Sequence, residues 1–186
     1  MMFDNARKHF MKICKHKKHV FLNCCIAGIY WRGITHDLSK FSPSEFLESA
    51  RYYQGDSSPI NACKKENGYS NAWLHHKGRN RHHYEYWQDN FDKGGTPLKM
   101  PFVDALEMVC DYIAAGQAYK GNGFNYMDEY YTWWKDKTAR PIAMHPQTKL
   151  FVDMMLFKMA QEGNNHVLKR KRAKAVYDLA ESTYKN

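Results

Sequence analysis

Ten histidines occur in this chain of 186 residues, and eight of them precede residue 84. They fall as His9, His16 and His19 near the start, His36 beside Asp37, and His75, His76, His82 and His83 within nine residues. Neutral imidazole together with carboxylate suits Mn, Fe, Zn, Ni or Co better than Ca. His36 and Asp37 stand in Gly33-Ile34-Thr35-His36-Asp37-Leu38-Ser39-Lys40-Phe41. At an irregular helix end two such adjacent side chains converge and can ligate one ion. On a continuous helix His76, Asn80 and His83 recur at i, i+4 and i+7, which puts them on one face with Trp87 a turn further on, while His75 and His82 share the neighbouring stripe. Two imidazoles two turns apart can bind a metal jointly with ligands from other helices. Without a metal, the same face reads as a basic solvated surface or a network of core histidines.

A second set of chemistry-bearing residues, Asp104, Glu107 and Asp111, recurs at i, i+3 and i+7 on an otherwise apolar segment. Buried carboxylates are costly unless paired or bound to a cation. Asp111, flanked by Cys110, Tyr112, Ile113, Ala114 and Ala115, is the one expected to point inward; pairing with Arg32 or Arg51 is the structural alternative. The five cysteines, Cys14, Cys24, Cys25, Cys63 and Cys110, include no C-x-x-C pair. They read as reduced, small buried hydrophobes, and adjacent Cys24 and Cys25 are poorly spaced for zinc.

The elements that must position these groups are helical, because strand signals are nearly absent and helix-period segments alternate with Gly, Pro and Asn turns. The spacing predicts a helix over Asn5 to Ile29, with Gly28 and Gly33 at its exit. Ser42 as N-cap, Pro43 at the first helical position and Glu45 reaching back predict a helix running to about Gln54. Gly55 to Tyr69 reads as a long surface loop. A helix over Ser70 to Asn90 follows, with Gly78 as a weak point within it. Gly94 to Pro97 breaks the chain before an apolar helix from Pro101 to Lys120, ended by Gly121-Asn122-Gly123. Short aromatic segments with Trp133 and Trp134 between turns come next, and Tyr130 to Trp134 has no account beyond packing. Helices over Pro146 to Gln161, stopped by Gly163, and Asn165 to Tyr184 close the chain. The expectation is a single all-α helical domain over residues 1–186.

Lys and Arg number 28 against 19 Asp and Glu, a balance of 28 − 19 = +9 with histidines neutral. The excess clusters at Lys12 to Lys18 and Lys169 to Arg172. It suits nucleic acid or an anionic small substrate, and it is equally explained by solvated helix faces. With 44% hydrophobic and 25% charged residues the chain is neither disordered nor fibrous. The apolar stretch Val20 to Trp31 contains Asn23 and falls short of the ~20 residues that span a bilayer. Met1 to His19 is charged throughout, unlike a signal peptide. A soluble cytoplasmic protein without membrane contact is expected.

His16, His36-Asp37 and a distant Asp111 followed by small residues together resemble the H…HD…D arrangement of the HD-domain superfamily of metal-dependent phosphohydrolases. His36-Asp37-Leu38-Ser39-Lys40 is similar to the HD-(I/L)-G-K version of that motif, with Ser39 in place of Gly. More closely, the chain resembles an uncharacterised bacterial and phage family, a domain of unknown function. The strings that carry this resemblance are His16-Lys17-Lys18-His19-Val20, His36 to Phe46, Gly68 to Trp87 and Cys110 to Ala115. They cover roughly the first two thirds of the chain.

The resemblance implies an HD-like bundle holding one or two divalent transition metal ions on His16, His36, Asp37 and Asp111, with His76 and His83 as further ligands. His19 lies three residues from His16, but His16 matches the family string. In a hydrolase the metal lowers the pKa of a bound water toward ~7 and polarises a phosphoryl oxygen. Lys40, Arg79 and Arg81 are then the nearest cations in sequence, with Asn80 beside them at the substrate, and Glu85 or Glu107 orients ligands or shuttles protons. Tyr52, Tyr53, Tyr84 and Trp87 either stack on a base or belong to the core. The leading expectation is hydrolysis of a nucleotide or another phosphate ester, an anionic small molecule. An HD-type di-iron oxygenase uses the same ligand set. A different class, a non-catalytic basic helical protein that binds nucleic acid or a partner, would leave the histidines structural.

Overall fold

The computed structural model describes residues 2–55 and 57–185. Asp56, within the segment expected to be a loop, lies outside the described residues, as do Met1 and Asn186. Helix α1 (Met2–Ile26) and helix α6 (Phe102–Lys120) form the spine of a single all-α domain. Along α1 the buried positions are His9, Ile13, His16, Val20, Asn23 and Cys24, a stripe at three- and four-residue spacing. Two of the early histidines therefore face inward with the apolar residues. Helix α6 is apolar nearly all round, so it is enclosed on nearly all sides, buried from Asp104 to Asp111 and on to Ala114. Asn23 Nδ2 of α1 donates to Cys110 O and Gln117 Oε1 of α6, each at 3.3 Å.

The first helix ends at Ile26, three residues before the predicted Ile29, and the chain doubles back as α2 (Tyr30–Thr35). Gly33 makes this possible: a Cβ there would lie 2.8 Å from Cys24 Cβ and 3.2 Å from Phe21 Cα. After the corner at His36 and Asp37 comes a 3₁₀ turn, Leu38–Phe41, and then α3 (Pro43–Arg51). Pro43 occupies the first turn as expected, but no capping box forms. Ser42 Oγ contacts Ser44 Oγ at 3.0 Å, and Glu45 is buried rather than folded back on the helix start.

The predicted loop holds a helix, α4 (Pro59–Asn67), with Pro59 in its first turn and Gly68 closing it at φ 80°. Helix α5 (Asn71–Arg79) starts at Ser70, whose Oγ accepts from Trp73 N at 3.0 Å. Glu48 of α3 closes the same end, accepting from Ser70 Oγ at 2.5 Å and Ala72 N at 3.1 Å. This helix stops at Arg79 instead of continuing to Asn90. Asn80 is extended at φ −109°, ψ 102°, and its Nδ2 donates to His76 O at 2.8 Å and Ser39 Oγ at 2.9 Å. Those bonds replace the next helical turn, and Trp87 Nε1 donating to Arg81 O at 2.7 Å fixes the turn beyond. A two-residue antiparallel pairing of β1 (Gln88–Asp89) with β2 (Thr96–Pro97) follows.

Trp133 and Trp134, expected between turns, lie in helical backbone: α7 (Tyr126–Asp128) runs through a π-helical segment, Glu129–Trp134, into α8 (Lys135–Thr138). Trp134 is fully buried and donates Nε1 to Asp153 Oδ1 at 3.0 Å. Helices α9 (Pro146–Glu162) and α10 (Arg170–Lys185) complete the core, the latter after a 3₁₀ turn at His166–Leu168 where the sequence predicts helix already. Phe151, Met155 and Met159 pack with Tyr177, Ala180 and the apolar side of α6. Among the described residues no helix is long and apolar enough to cross a membrane.

Candidate metal centre

The corner after α2 sets the site. His36 ends the helix at φ −52°, ψ 129°, and Asp37 follows in the left-handed region at φ 54°, a conformation that Asp tolerates better than most side chains. This reversal turns both side chains inward, where they are 2% and 1% exposed. Lys17 Nζ donates to His36 O at 2.7 Å and Ile34 O at 3.1 Å, tying the corner to α1. Helix α1 supplies His16, α5 supplies His76, the irregular segment after it supplies His82 and His83, and α6 supplies Glu107 and Asp111.

The two Asp37 oxygens face different partners. Oδ2 stands 3.2 Å from His36 Nε2 and 3.8 Å from His16 Nε2. Oδ1 stands 3.3 Å from both His76 Nε2 and His82 Nε2. Asp111 Oδ1 is 3.0 Å from His16 Nε2 and 3.5 Å from His36 Nε2, and the Nε2 atoms of His76 and His83 are 2.9 Å apart. Two groups that share Asp37 result, His16-His36-Asp37-Asp111 and Asp37-His76-His82-His83, and a third, His36-His82-Glu107, bridges them; within each the ligand atoms lie within 4.8 Å of one another. Ligands bonded at about 2.0–2.2 Å to one ion stand roughly 3–3.6 Å apart, and the distances above, 2.9 to 3.8 Å, bracket that range.

The ring nitrogens on the other side are already engaged. His36 Nδ1 donates to Glu107 Oε1 at 2.9 Å, and His82 Nδ1 lies 3.4 Å from the same oxygen. His76 Nδ1 donates to Glu45 Oε2 at 2.7 Å and His75 Nδ1 to Glu45 Oε1 at 2.6 Å. Carboxylates behind imidazoles fix the tautomer and leave Nε2 as the ligating atom. By contrast, His16 Nε2, His36 Nε2, His82 Nε2 and Asp37 Oδ1 are buried without a hydrogen bond, whereas Asp37 Oδ2 has the Lys40 ammonium 2.6 Å away. Each such atom costs about 1–3 kcal/mol, and a cation among them would satisfy all of them at once.

Charge counting agrees. Asp37, Glu45, Asp104, Glu107 and Asp111 are buried. The fixed cations against them are Arg32 on Asp104 and Glu107 at 2.8 and 3.1 Å, Lys40 on Asp37 at 2.6 Å, and Arg81 on Asp104 at 3.4 Å. Five negative charges less three positive leave two, to be met by protons on histidines or by a bound cation. Burial opposes charge on His36, but Asp37, Asp111 and Glu107 outweigh it and hold the imidazole well above its usual pKa. Burial likewise opposes ionisation of Asp37, yet His36, Lys40 and His76 hold it well below the carboxylate range. His83 is driven the other way, by burial and by His82 and His76, to the neutral form that ligates metals.

All six expected ligands, His16, His36, Asp37, His76, His83 and Asp111, stand together here, and His82, which the spacing put on the neighbouring stripe with His75, joins them. His19 does not, standing near Lys15 and Lys18 and outside both groups. Among the described residues no cysteine joins these groups. The centre opens on a cleft of about 230 Å³, lined by His16, His76, His83, Asp111, Lys12 and Lys40 together with Ile13, Ile60, Trp73 and Tyr119. Lys40 thus meets both the centre and the cleft. Glu107 lies behind His36 and His82, in the orienting position rather than at the substrate.

The other residues expected at the site lie outside the ligand groups and the cleft lining. Glu85 lies in neither the metal-ligand groups nor the cleft lining; its Oε2 is buried without a partner, and it interacts with Tyr84. Arg79 is exposed at the helix end, Asn80 caps α5, and Arg81 is drawn to Asp104 and over the Trp87 ring at 4.7 Å. None of Arg79, Asn80 and Arg81 lines the cleft, because the helix that would carry their face toward it ends at Arg79. Tyr52 bonds Glu66 and Asn67, while Tyr84 and Trp87 pack against the core.

A family model described as a family of unknown function, DUF5662, matches residues 5–158, and the chain belongs to that family. No curated protein and no solved structure matches it.

Proposed function

We propose that this member of a family of unknown function is a metal-dependent hydrolase of a nucleotide or another phosphate ester, built around an HD-type centre. The observation that carries the reading is Asp37, buried between two sets of imidazole and carboxylate atoms with Oδ1 lacking a hydrogen bond and Oδ2 met only by the Lys40 ammonium, beside a cleft that holds two lysines. His16, His36, Asp37 and Asp111 would hold one divalent ion of Mn, Fe, Zn, Ni or Co, and Asp37, His76, His82 and His83 a second. Bound there, such ions lower the pKa of a water toward ~7 and polarise a phosphoryl oxygen. Glu107 and Glu45 hold the imidazoles in the ligating tautomer. Lys40 stays cationic because Asp37 and Asp111 outweigh the effect of burial, and so presents a fixed positive charge to phosphate oxygens at the cleft wall. The +9 balance draws anions toward the molecule.

The test is metal analysis of protein purified without chelator, with phosphate release from nucleotides and simple esters measured in added Mn or Co. Wild type should carry metal and release phosphate, and the double variant His36→Ala, Asp37→Ala should do neither. If wild type and variant both lack metal and are equally stable, the site assignment is wrong. Retained iron with a mixed-valent electron paramagnetic resonance signal and no phosphate release would replace hydrolysis by the oxygenase reading. Metal-free protein with nucleic-acid affinity that falls steeply with salt would replace both.

A further inference from the structure

His9 takes no part in either metal-ligand group, yet it is 7% exposed, lines the cleft, and leaves its Nδ1 without a hydrogen-bond partner. It shares the inner stripe of α1 with His16, seven residues on, so the two are about 10.5 Å apart along the helix axis. Phe46 at 5.5 Å and Tyr53 at 5.4 Å, measured between ring centroids, hold the imidazole in place. Burial first, and the charge of Lys40 second, bring its pKa down to about 4, so at neutral pH it offers a hydrogen bond and no charge. The cleft contains Ile13, Ile60, Trp73 and Ala115, which suit an uncharged body. Among the described residues Lys12 and Lys40 are the lysines that line it, enough for one phosphoryl group and too few for a chain of them.

We propose that the cleft takes a phosphate monoester whose leaving group is an uncharged ring system with a polar edge, of the size of a nucleoside, and that His9 hydrogen-bonds that edge. A nucleoside 5′-monophosphate, with its phosphate at the metal centre, has the reach to bring its base to His9. A polyphosphate or a nucleic-acid strand finds too few cations there. This assignment rests on the hydrolase reading for its phosphate end; the His9 end stands on the cleft alone.

The test compares wild type with His9→Phe and His9→Asn on adenosine 5′-monophosphate and on phenyl phosphate, which has a ring but no polar edge. It also measures adenosine 5′-monophosphate binding to chelator-treated protein by calorimetry. His9→Phe should lower the ratio of kcat/KM for the nucleotide over phenyl phosphate about fivefold to tenfold, through KM, as expected for one hydrogen bond. His9→Asn, which keeps a hydrogen-bonding group, should recover part of that loss, with metal content and melting temperature showing both variants folded. Equal losses on both esters, or none, overturn the proposal. If wild type hydrolyses neither ester, the hydrolase reading falls and binding decides. Nucleotide binding that weakens by the same factor in His9→Phe sustains the His9 assignment; no binding, or binding indifferent to His9, overturns it.

Discussion

Replacing Glu107 by Gln tests whether the buried carboxylates serve a metal. Glu107 Oε1 accepts from His36 Nδ1 at 2.9 Å and lies 3.4 Å from His82 Nδ1, while Oε2 meets Arg32 at 3.1 Å. Gln keeps the shape and one accepting oxygen but removes the charge that makes both imidazoles stronger bases. Loss of such a partner behind a ligating histidine typically costs 10- to 100-fold in metal affinity, about 1.4–2.7 kcal/mol. His36 belongs to one ligand group and His82 to the other, so both ions should weaken together, whereas His83→Gln should weaken one. The fold should survive, because Arg32 keeps Asp104 at 2.8 Å. The assay is competition for Mn or Zn against a chromophoric chelator at neutral pH, with melting followed by circular dichroism in excess chelator. The reasoning is refuted if Glu107→Gln binds metal as tightly as wild type while Asp37→Asn has lost it, or if only one of two ions is affected.

Gly33→Ala should destabilise the protein by about 1–3 kcal/mol, a fall of roughly 2–12 °C in Tm, since its Cβ would meet the Phe21 backbone at 3.2 Å. An unchanged melting temperature would mean that α1 and α2 are not packed so closely. The neutral, buried His9 makes stability pH-dependent with a definite sign. Above pH 6.5 neither state binds its proton, and between 6.5 and about 4 the unfolded chain does and the folded one does not. Stability is therefore lost as the pH is lowered through that window, by up to about 3 kcal/mol, and His9→Asn should remove that part of the slope in chemical denaturation at stepped pH. A slope unchanged in the variant would remove His9 from the account. Arg79→Ala should leave phosphate release within about twofold of wild type, as for most exposed positions; a tenfold loss would return Arg79 to the substrate.

The helical class and the meeting of His16, His36, Asp37 and Asp111 were legible because they depend on side-chain type and short spacing: the stripe on α1, the His36-Asp37 pair and the acids of α6 all reappear where periodicity puts them. What was not legible lies where the backbone leaves regularity for tertiary reasons. A helix continued to Asn90 would carry His76 and His83 together and turn His82 to the neighbouring stripe. Because Asn80 ends α5 by bonding Ser39 of a distant turn, His82 and His83 both reach the centre. The same break strands Arg79 in solvent and sends Arg81 to Asp104. Helix α4 was hidden by composition, although Pro59 at its start and Gly68 at its end mark its limits by position. Glu45 resembled a capping residue by spacing, but the capping bond is worth less than two imidazoles needing a carboxylate, and the side chain turned to His75 and His76.

The run Lys12 to Lys18 shows why a cluster of charge in sequence is not a patch on the molecule. Helical periodicity divides its four lysines among three tasks. Lys15 and Lys18 point to solvent. Lys17 bonds the carbonyls of Ile34 and His36 and so holds the corner that presents Asp37. Lys12 lines the cleft, its ammonium 4.6 Å from the centre of the Tyr119 ring. The Lys169 to Arg172 run divides in the same way, with Arg170 on Gly28 O and Arg172 on Glu162. A polymer tracking the surface would need these charges side by side, whereas a small anion needs only the lysines that reach the cleft, Lys12 and Lys40. The division of the basic runs is therefore what the proposed hydrolase, acting on a compact anion, would require, and not what a nucleic-acid strand would.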